Sequence, residues 1–248
     1  MKIALITGGT GGIGFETAKS LGKDGYHIVL NGIIEQDCIR CVKELKEMNI
    51  SSEFLLFDVT NEKLVNENIK YVGDKYGKID VIVNCAGGLG GRSRFETMTT
   101  EFYKNVLALN LDSSFYISRA AIPYLKKSEM PSIINFSSNA GYNAGGPGAG
   151  IYGVAKAAII LLTRAMAKDL AEYNIRVNAV APGTIDTPFH QATKENNPKL
   201  FESFKNNILM KRLGQPSEVA SVISFLVSEK ASFITGEIIQ INGGQDLL

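Results

Sequence analysis

Short apolar runs alternate with amphipathic stretches along almost the whole chain. Runs at 2–7, 27–31, 53–57, 79–84, 132–137, 175–181 and 237–242 have the length and composition of strands. Between them, segments 12–24, 35–48, 61–76, 99–127, 152–173 and 216–228 place apolar residues at helical spacing. Several runs, Val81-Ile82-Val83 among them, are apolar without alternation, as in a sheet covered on both faces. This rhythm predicts an α/β fold: a Rossmann-type, doubly wound parallel sheet of about seven strands with helices on both faces. The polar, Asn- and Lys-rich stretch 184–215 breaks the rhythm and reads as an irregular excursion from one domain spanning 1–248.

Composition narrows the function. With 248 residues, 45% hydrophobic and 21% charged, the chain can bury one large core. A net charge of +1 gives no electrostatic case for nucleic acid or an anionic membrane. The apolar run Met1–Thr7 is too short for a signal core, no stretch is expected to span a bilayer, and a cytoplasmic location is expected. Cys38, Cys41 and Cys85 form no zinc pattern and are read as reduced thiols, so no metal is expected. Two histidines, His27 and His190, leave little material for a serine–histidine nucleophile.

Two features carry chemistry. Glycines at 8, 9, 11, 12 and 14 fall between the first strand and first helix, where backbone N–H groups can approach a pyrophosphate. Three registers fit: Gly9-x-Gly11-x-x-Gly14, Gly8-x-x-Gly11-x-x-Gly14 and Gly8-x-x-x-Gly12-x-Gly14. Farther on, Tyr152 and Lys156 lie one helical turn apart. An ammonium beside a phenol favours the phenolate and lowers its pKa from about 10, as a general acid/base for a carbonyl/alcohol pair requires. Ser138 stands fourteen residues before Tyr152, at the end of an apolar run.

In company, these residues form a recognisable series. After the glycine turn come Asp58-Val59, Asn84-Cys85-Ala86-Gly87, Asn110, Ser138, Tyr152-x-x-x-Lys156 and Pro182-Gly-Thr-Ile-Asp-Thr187. Arg212-Leu-Gly-Gln-Pro216, Thr235-Gly236 and Asn242-Gly-Gly244 complete it. The chain resembles the compact, single-domain branch of the short-chain dehydrogenase/reductase family over its whole length, similar to 3-oxoacyl-carrier-protein reductases and to hydroxybutyrate and sugar dehydrogenases. The resemblance selects the Gly8, Gly12, Gly14 register. It implies that Tyr152 exchanges a proton with the substrate oxygen, that Ser138 holds that oxygen, and that Lys156 tunes the tyrosine and binds the nicotinamide ribose. Asn110 would anchor a water linking Lys156 to solvent. The coenzyme would meet Gly8, Thr10, Gly12, Ile13, Gly14, Asn31, Asp58, Val59, Asn84, Ala86, Gly87, Pro182, Gly183, Ile185 and Thr187, besides Tyr152 and Lys156.

The resemblance implies NAD or NADP. Gly32 stands where the family's NAD-binding carboxylate would be, and Gly11 and Ile33 where its NADP-binding arginines would be. Residues 31–37 carry Glu35 and Asp37 and no cation, which disfavours a 2′-phosphate and points to NAD. For the substrate, Arg92 and Arg94 follow the fourth strand and could clamp a carboxylate, while segment 186–212, with His190, reads as a lid. An anionic oxo-substrate such as a sugar acid or keto acid is therefore expected. The alternatives are an NADPH-dependent 3-oxoacyl-thioester reductase, since the glycine turn resembles that of acetoacetyl-CoA reductases, and a non-catalytic dinucleotide sensor. The resemblance also implies a homodimer or homotetramer paired through 99–127 and 152–173, where Leu161, Leu162 and Met166 are apolar.

Overall fold

The apolar runs become seven parallel strands: β1 (Lys2–Thr7), β2 (Tyr26–Gly32), β3 (Ser52–Leu56), β4 (Val81–Asn84), β5 (Ser132–Phe136), β6 (Arg176–Pro182) and β7 (Ile238–Ile241). In the computed structural model, which describes residues 1–247, they lie in the order β3-β2-β1-β4-β5-β6-β7. The helices are α1 (Gly12–Lys23), α2 (Glu35–Glu47), α3 (Glu62–Tyr76), α4 (Thr100–Leu107), α5 (Ser113–Leu125), α6 (Ala140–Asn143), α7 (Gly150–Leu170), α8 (Gln191–Asn196), α9 (Pro198–Asn207) and α10 (Pro216–Val227).

Side-chain parity builds both layers. Ala4 and Ile6 of β1 join Phe15 and Leu21 of α1, Leu45 of α2 and Ile223 of α10 in one buried cluster. Ile3 and Leu5, pointing the other way, join Ile69 of α3, Ile117 and Leu125 of α5 and Leu170 of α7. Both faces of each central strand are thus withdrawn from water, which explains why their sequences lack alternation.

Helix starts follow local chemistry. Asn61 accepts from the Leu64 N–H, and Thr99 from the Phe102 N–H, each satisfying a donor that the first turn leaves free. Glu218 closes a capping box on Gln215 and holds Arg212.

Three expectations need correction. The single helix expected over 99–127 is two, α4 and α5, joined by a π turn at Ala108–Asp112. The excursion 184–215 is partly helical, containing α8 and α9. Finally, Gly150–Tyr173 is long and apolar enough to span a membrane by length and composition, contrary to the expectation of no such stretch. Half of its most apolar window is buried, and α7 packs on α4 and β6 as a core helix.

The sheet order reverses between β1 and β4, whose ends pair Thr7 with Asn84. Crossovers leave on opposite faces there, opening a crevice above the strand C-termini, where ligands of such sheets bind.

Candidate active site

A cleft of ≈ 920 Å³ occupies that crevice. At one end it is lined by Gly8, Gly11, Gly12 and Ile13 with Ala86 and Gly87. Ser138, Tyr152 and Lys156 lie among its walls, with Pro182, Gly183, Ile185 and Thr187. Its remaining wall is largely apolar, with Leu89, Ala140, Ala149, Phe189 and Phe204 beside Arg92 and His190.

The glycine turn reveals its own register. Gly8 and Gly12 have left-handed backbones, φ +61° and +50°, and a Cβ on Gly8 would stand 2.9 Å from Ala86 Cα. A Cβ on Gly14 would overlap the Gly8 carbonyl oxygen, whereas Gly11 is extended and a Cβ there meets nothing within 4 Å. The demand for glycine therefore falls at 8, 9, 12 and 14 and not at 11, leaving a bare backbone cradle at the α1 N-terminus that fits a pyrophosphate.

The residues expected to transfer the proton come together on α7 and just beyond β5. Tyr152 is half-buried and hydrogen-bonded to Ser138. Lys156 is 4% exposed and donates to the Phe136 carbonyl at 2.9 Å, with its ammonium 5.6 Å from the Tyr152 ring centre. Burial pushes the Tyr152 phenol up to about 12 and brings the Lys156 amine down to about 8. Loss of water dominates, the Ser138 hydrogen bond opposes it, and the expected lowering by the neighbouring amine is not among the causes. Ser137 turns away from this pair, donating to the Lys156 carbonyl at 2.8 Å.

Asn110 is fully buried in the π turn, with its side chain committed to the backbone. Its Nδ2 donates to the Gly88 and Val106 carbonyls at 2.8 and 2.9 Å, and its Oδ1 accepts from the Gly88 N–H at 3.0 Å. A Cβ on Gly87 would stand 2.9 Å from Asn110 Oδ1 and 3.1 Å from Lys156 Nζ, so both side chains converge on this loop.

Other expected contacts do not line the cleft. Asn31 is buried and donates to the Phe57 carbonyl, while Val59 belongs to the core. Asn84 turns its amide inward, donating to Ser118 Oγ at 2.8 Å and Asn135 Oδ1 at 2.9 Å. Asp58 is exposed and caps the Thr60 N–H. Gly14 lies beneath the turn, and the Thr10 carbonyl is taken by Arg40 and Cys41. Arg92 lines the cleft and donates to the Pro147 carbonyl at 2.9 Å, but Arg94 is outside it, so the two-arginine clamp does not assemble.

Arg40, Phe189, Phe201 and Phe204 escaped sequence reading, and Gly32, Cys85 and His190 gain surroundings in the fold that the sequence does not show. Gly32 is sealed: a Cβ there would lie 2.6 Å from Cys38 Sγ and 2.7 Å from Thr10 Cγ2. Arg40, one turn beyond the stretch read for cations, reaches the Thr10 carbonyl at 3.2 Å while pairing with Asp37 and Glu44. Cys85 lines the cleft, and burial pushes its thiol up to about 12. Phe189 meets Tyr152 and His190, and His190 meets Phe201 and Phe204, forming an aromatic cluster over the cleft. No group of three or more metal-ligating side chains occurs among the described residues.

A family model described as "Enoyl-(Acyl carrier protein) reductase" matches residues 8–246. The chain is similar to the 3-oxoacyl-[acyl-carrier-protein] reductase FabG of Thermotoga maritima, at 37% identity over 98% of this chain and 97% of the relative. It is 34% identical to the 7alpha-hydroxysteroid dehydrogenase of Bacteroides fragilis, over 98% of this chain and 93% of that one. A solved short-chain dehydrogenase/reductase from Brucella melitensis, described as a glucose/ribitol dehydrogenase, superposes with a TM-score of 0.91 at 31% identity. That match covers 100% of this chain and 97% of the other.

Proposed function

The chain belongs to the short-chain dehydrogenase/reductase family, and from that premise we propose that it interconverts 3-oxoacyl and 3-hydroxyacyl thioesters. Its membership makes it an oxidoreductase of carbonyl and CH–OH groups using NAD or NADP. The carrying observation is that Ser138, Tyr152 and Lys156 share one cleft with the glycine cradle and an apolar, aromatic wall. An acyl chain suits that wall, and the FabG relatives point to the same substrate class.

A bound nicotinamide would supply or accept the hydride. In reduction, Tyr152 gives its phenolic proton to the carbonyl oxygen, where negative charge develops. A phenol held protonated by burial suits that direction. Lys156, pinned to the Phe136 carbonyl, keeps a positive charge near the resulting phenolate. Asn110 holds Gly88 and with it the loop that follows β4. The lid, 186–212, places Phe189 against Tyr152 and screens the reacting oxygen from water.

For the coenzyme, NAD is proposed: residues 31–37 bring Glu35 and Asp37 but no cation, and Arg40, which reaches the turn at Thr10, is already paired with Asp37 and Glu44. A second substrate reading, a keto acid or sugar acid, draws support from Arg92 in the cleft wall. One panel separates these readings: acetoacetyl-CoA, longer 3-oxoacyl thioesters, 2-keto acids and sugars, each with NADH and NADPH. The expected outcome is the highest kcat/KM on a thioester with NADH, falling about 10²- to 10⁴-fold in Tyr152→Phe. Turnover undiminished in that variant sinks the mechanism. A preference for NADPH sinks only the coenzyme reading.

The working form is proposed to be a homo-oligomer. Leu161 and Val154 on α7 and Phe115 on α5 are exposed, at 66, 52 and 40%. Light scattering should give a dimer or tetramer that Leu161→Lys weakens; a monomeric wild type refutes this.

A further inference from the structure

Beyond β7 the chain turns back over the cleft. Gln245 Oε1 accepts from the Thr184 N–H and hydroxyl at 2.9 and 3.0 Å, and Asn242 donates to the Asp246 carbonyl at 2.8 Å. These bonds bring the Asp246 carboxylate to the residues just after Ser138, far away in sequence. Its Oδ2 accepts from Asn139 Nδ2 at 3.0 Å, and its Oδ1 from Asn143 Nδ2 at 2.9 Å.

The direction of these bonds follows from donor and acceptor chemistry. An ionised carboxylate only accepts, so Asn139 must present its amino group to Asp246 and its carbonyl oxygen elsewhere. That oxygen faces Ser138, whose hydroxyl donates to it at 3.1 Å. Ser138 Oγ meanwhile accepts from the Ala140 N–H at 3.1 Å. With its proton on Asn139 and one lone pair on Ala140, the serine has one lone pair left beside Tyr152, and its hydroxyl must leave Asn139 before it can donate to a phenolate or substrate oxygen.

We infer that Asp246 is a positioning residue for proton transfer, setting the direction of the Ser138 hydroxyl through Asn139. A carboxylate on the C-terminal tail thereby orders the serine and the tyrosine. Without it, the Asn139 amide is free to turn over, and the serine proton has two directions instead of one. The inference rests on the reading of Ser138 and Tyr152 as the acid pair.

The test is a double-mutant cycle between Asp246→Asn and Asn139→Ala, read as kcat and KM on acetoacetyl-CoA with whichever coenzyme gives the larger rate. Asp246→Asn preserves shape and removes the acceptor-only charge. The expected result is a kcat loss of about tenfold, the order of one ordered hydrogen bond, with coenzyme KM within twofold. In the Asn139→Ala background, the same substitution should change kcat less than twofold. Equal losses in both backgrounds would show that the tail acts through general structure, and no loss in either would overturn the inference outright. Should Asp246→Asn fail to fold, Asn139→Ala alone cuts the same chain on its other side and is expected to lose the same factor; full activity in it refutes the idea. An enzyme with no Tyr152-dependent turnover overturns the catalytic reading first, and the inference with it.

Discussion

The two ends of the cleft are made of different material. At the cradle end the surface is backbone, held by contacts so close that no Cβ fits at Gly8 or Gly14. At the other end, in the segment proposed as a lid, the surface is side chain: Phe189, His190, Phe201 and Phe204 meet ring to ring from short helices and turns. A coenzyme diphosphate asks for fixed N–H groups, which only a rigid turn supplies. An acyl group asks for apolar area, which many side-chain arrangements supply equally well. The cradle should therefore tolerate almost no change, and the lid considerable change at graded cost.

The sharpest way to break this contrast is Gly14→Ala set against Gly11→Ala. The first forces the Gly8 carbonyl to move and should lower Tm by several degrees while weakening coenzyme binding more than about tenfold, as overpacking by one methyl does. The second adds a methyl that meets no protein atom and should leave Tm unchanged. Equal effects, measured by calorimetry and coenzyme titration, would show that the cradle is not the rigid part.

A smaller effect is expected at the lid. Phe189→Ala removes aromatic area beside Tyr152 and should lower kcat/KM for a long 3-oxoacyl thioester about tenfold, with coenzyme KM unchanged. A change confined to coenzyme KM would place Phe189 in the other half of the cleft.

The smallest test concerns Lys156, which lies between the two ends. Its amine is held near about 8, below its ordinary value of 10.5. Between those values the unfolded chain binds more protons than the folded one, so this group makes stability rise with pH above about 8. Wild type minus Lys156→Met should show that rise, on the order of 1 kcal/mol per pH unit or less, by urea unfolding between about pH 8 and 9.5. A difference that is flat, or falls with pH, would mean that the lysine stays charged and comfortable where it is buried.

Much was legible because it depends on local repetition. Strand and helix alternation, the continuous apolar character of β4 and the end-of-strand position of Ser138 are all visible within ten or twenty residues. Asn110 could be singled out, but not the π turn that buries it, since an extra residue per turn leaves no periodic trace over five positions. The family pattern names Asn31, Asn84 and Val59 without saying which way they face, and packing turns their side chains to the interior. The aromatic cluster was hidden because Phe189, Phe201 and Phe204 stand in a polar stretch and acquire meaning only when α9 folds back onto His190 and Phe189 meets Tyr152.

What the sequence determined by itself was the order of elements, the glycine turn and the tyrosine–lysine pair, because each follows from periodicity or from residues a few positions apart. Tertiary structure decided which charges survive burial, which arginine reaches the cleft, and that a carboxylate at 246 meets an asparagine at 139. Those outcomes turn on water lost and distances closed between segments a hundred residues apart, and neither quantity exists until the chain has folded.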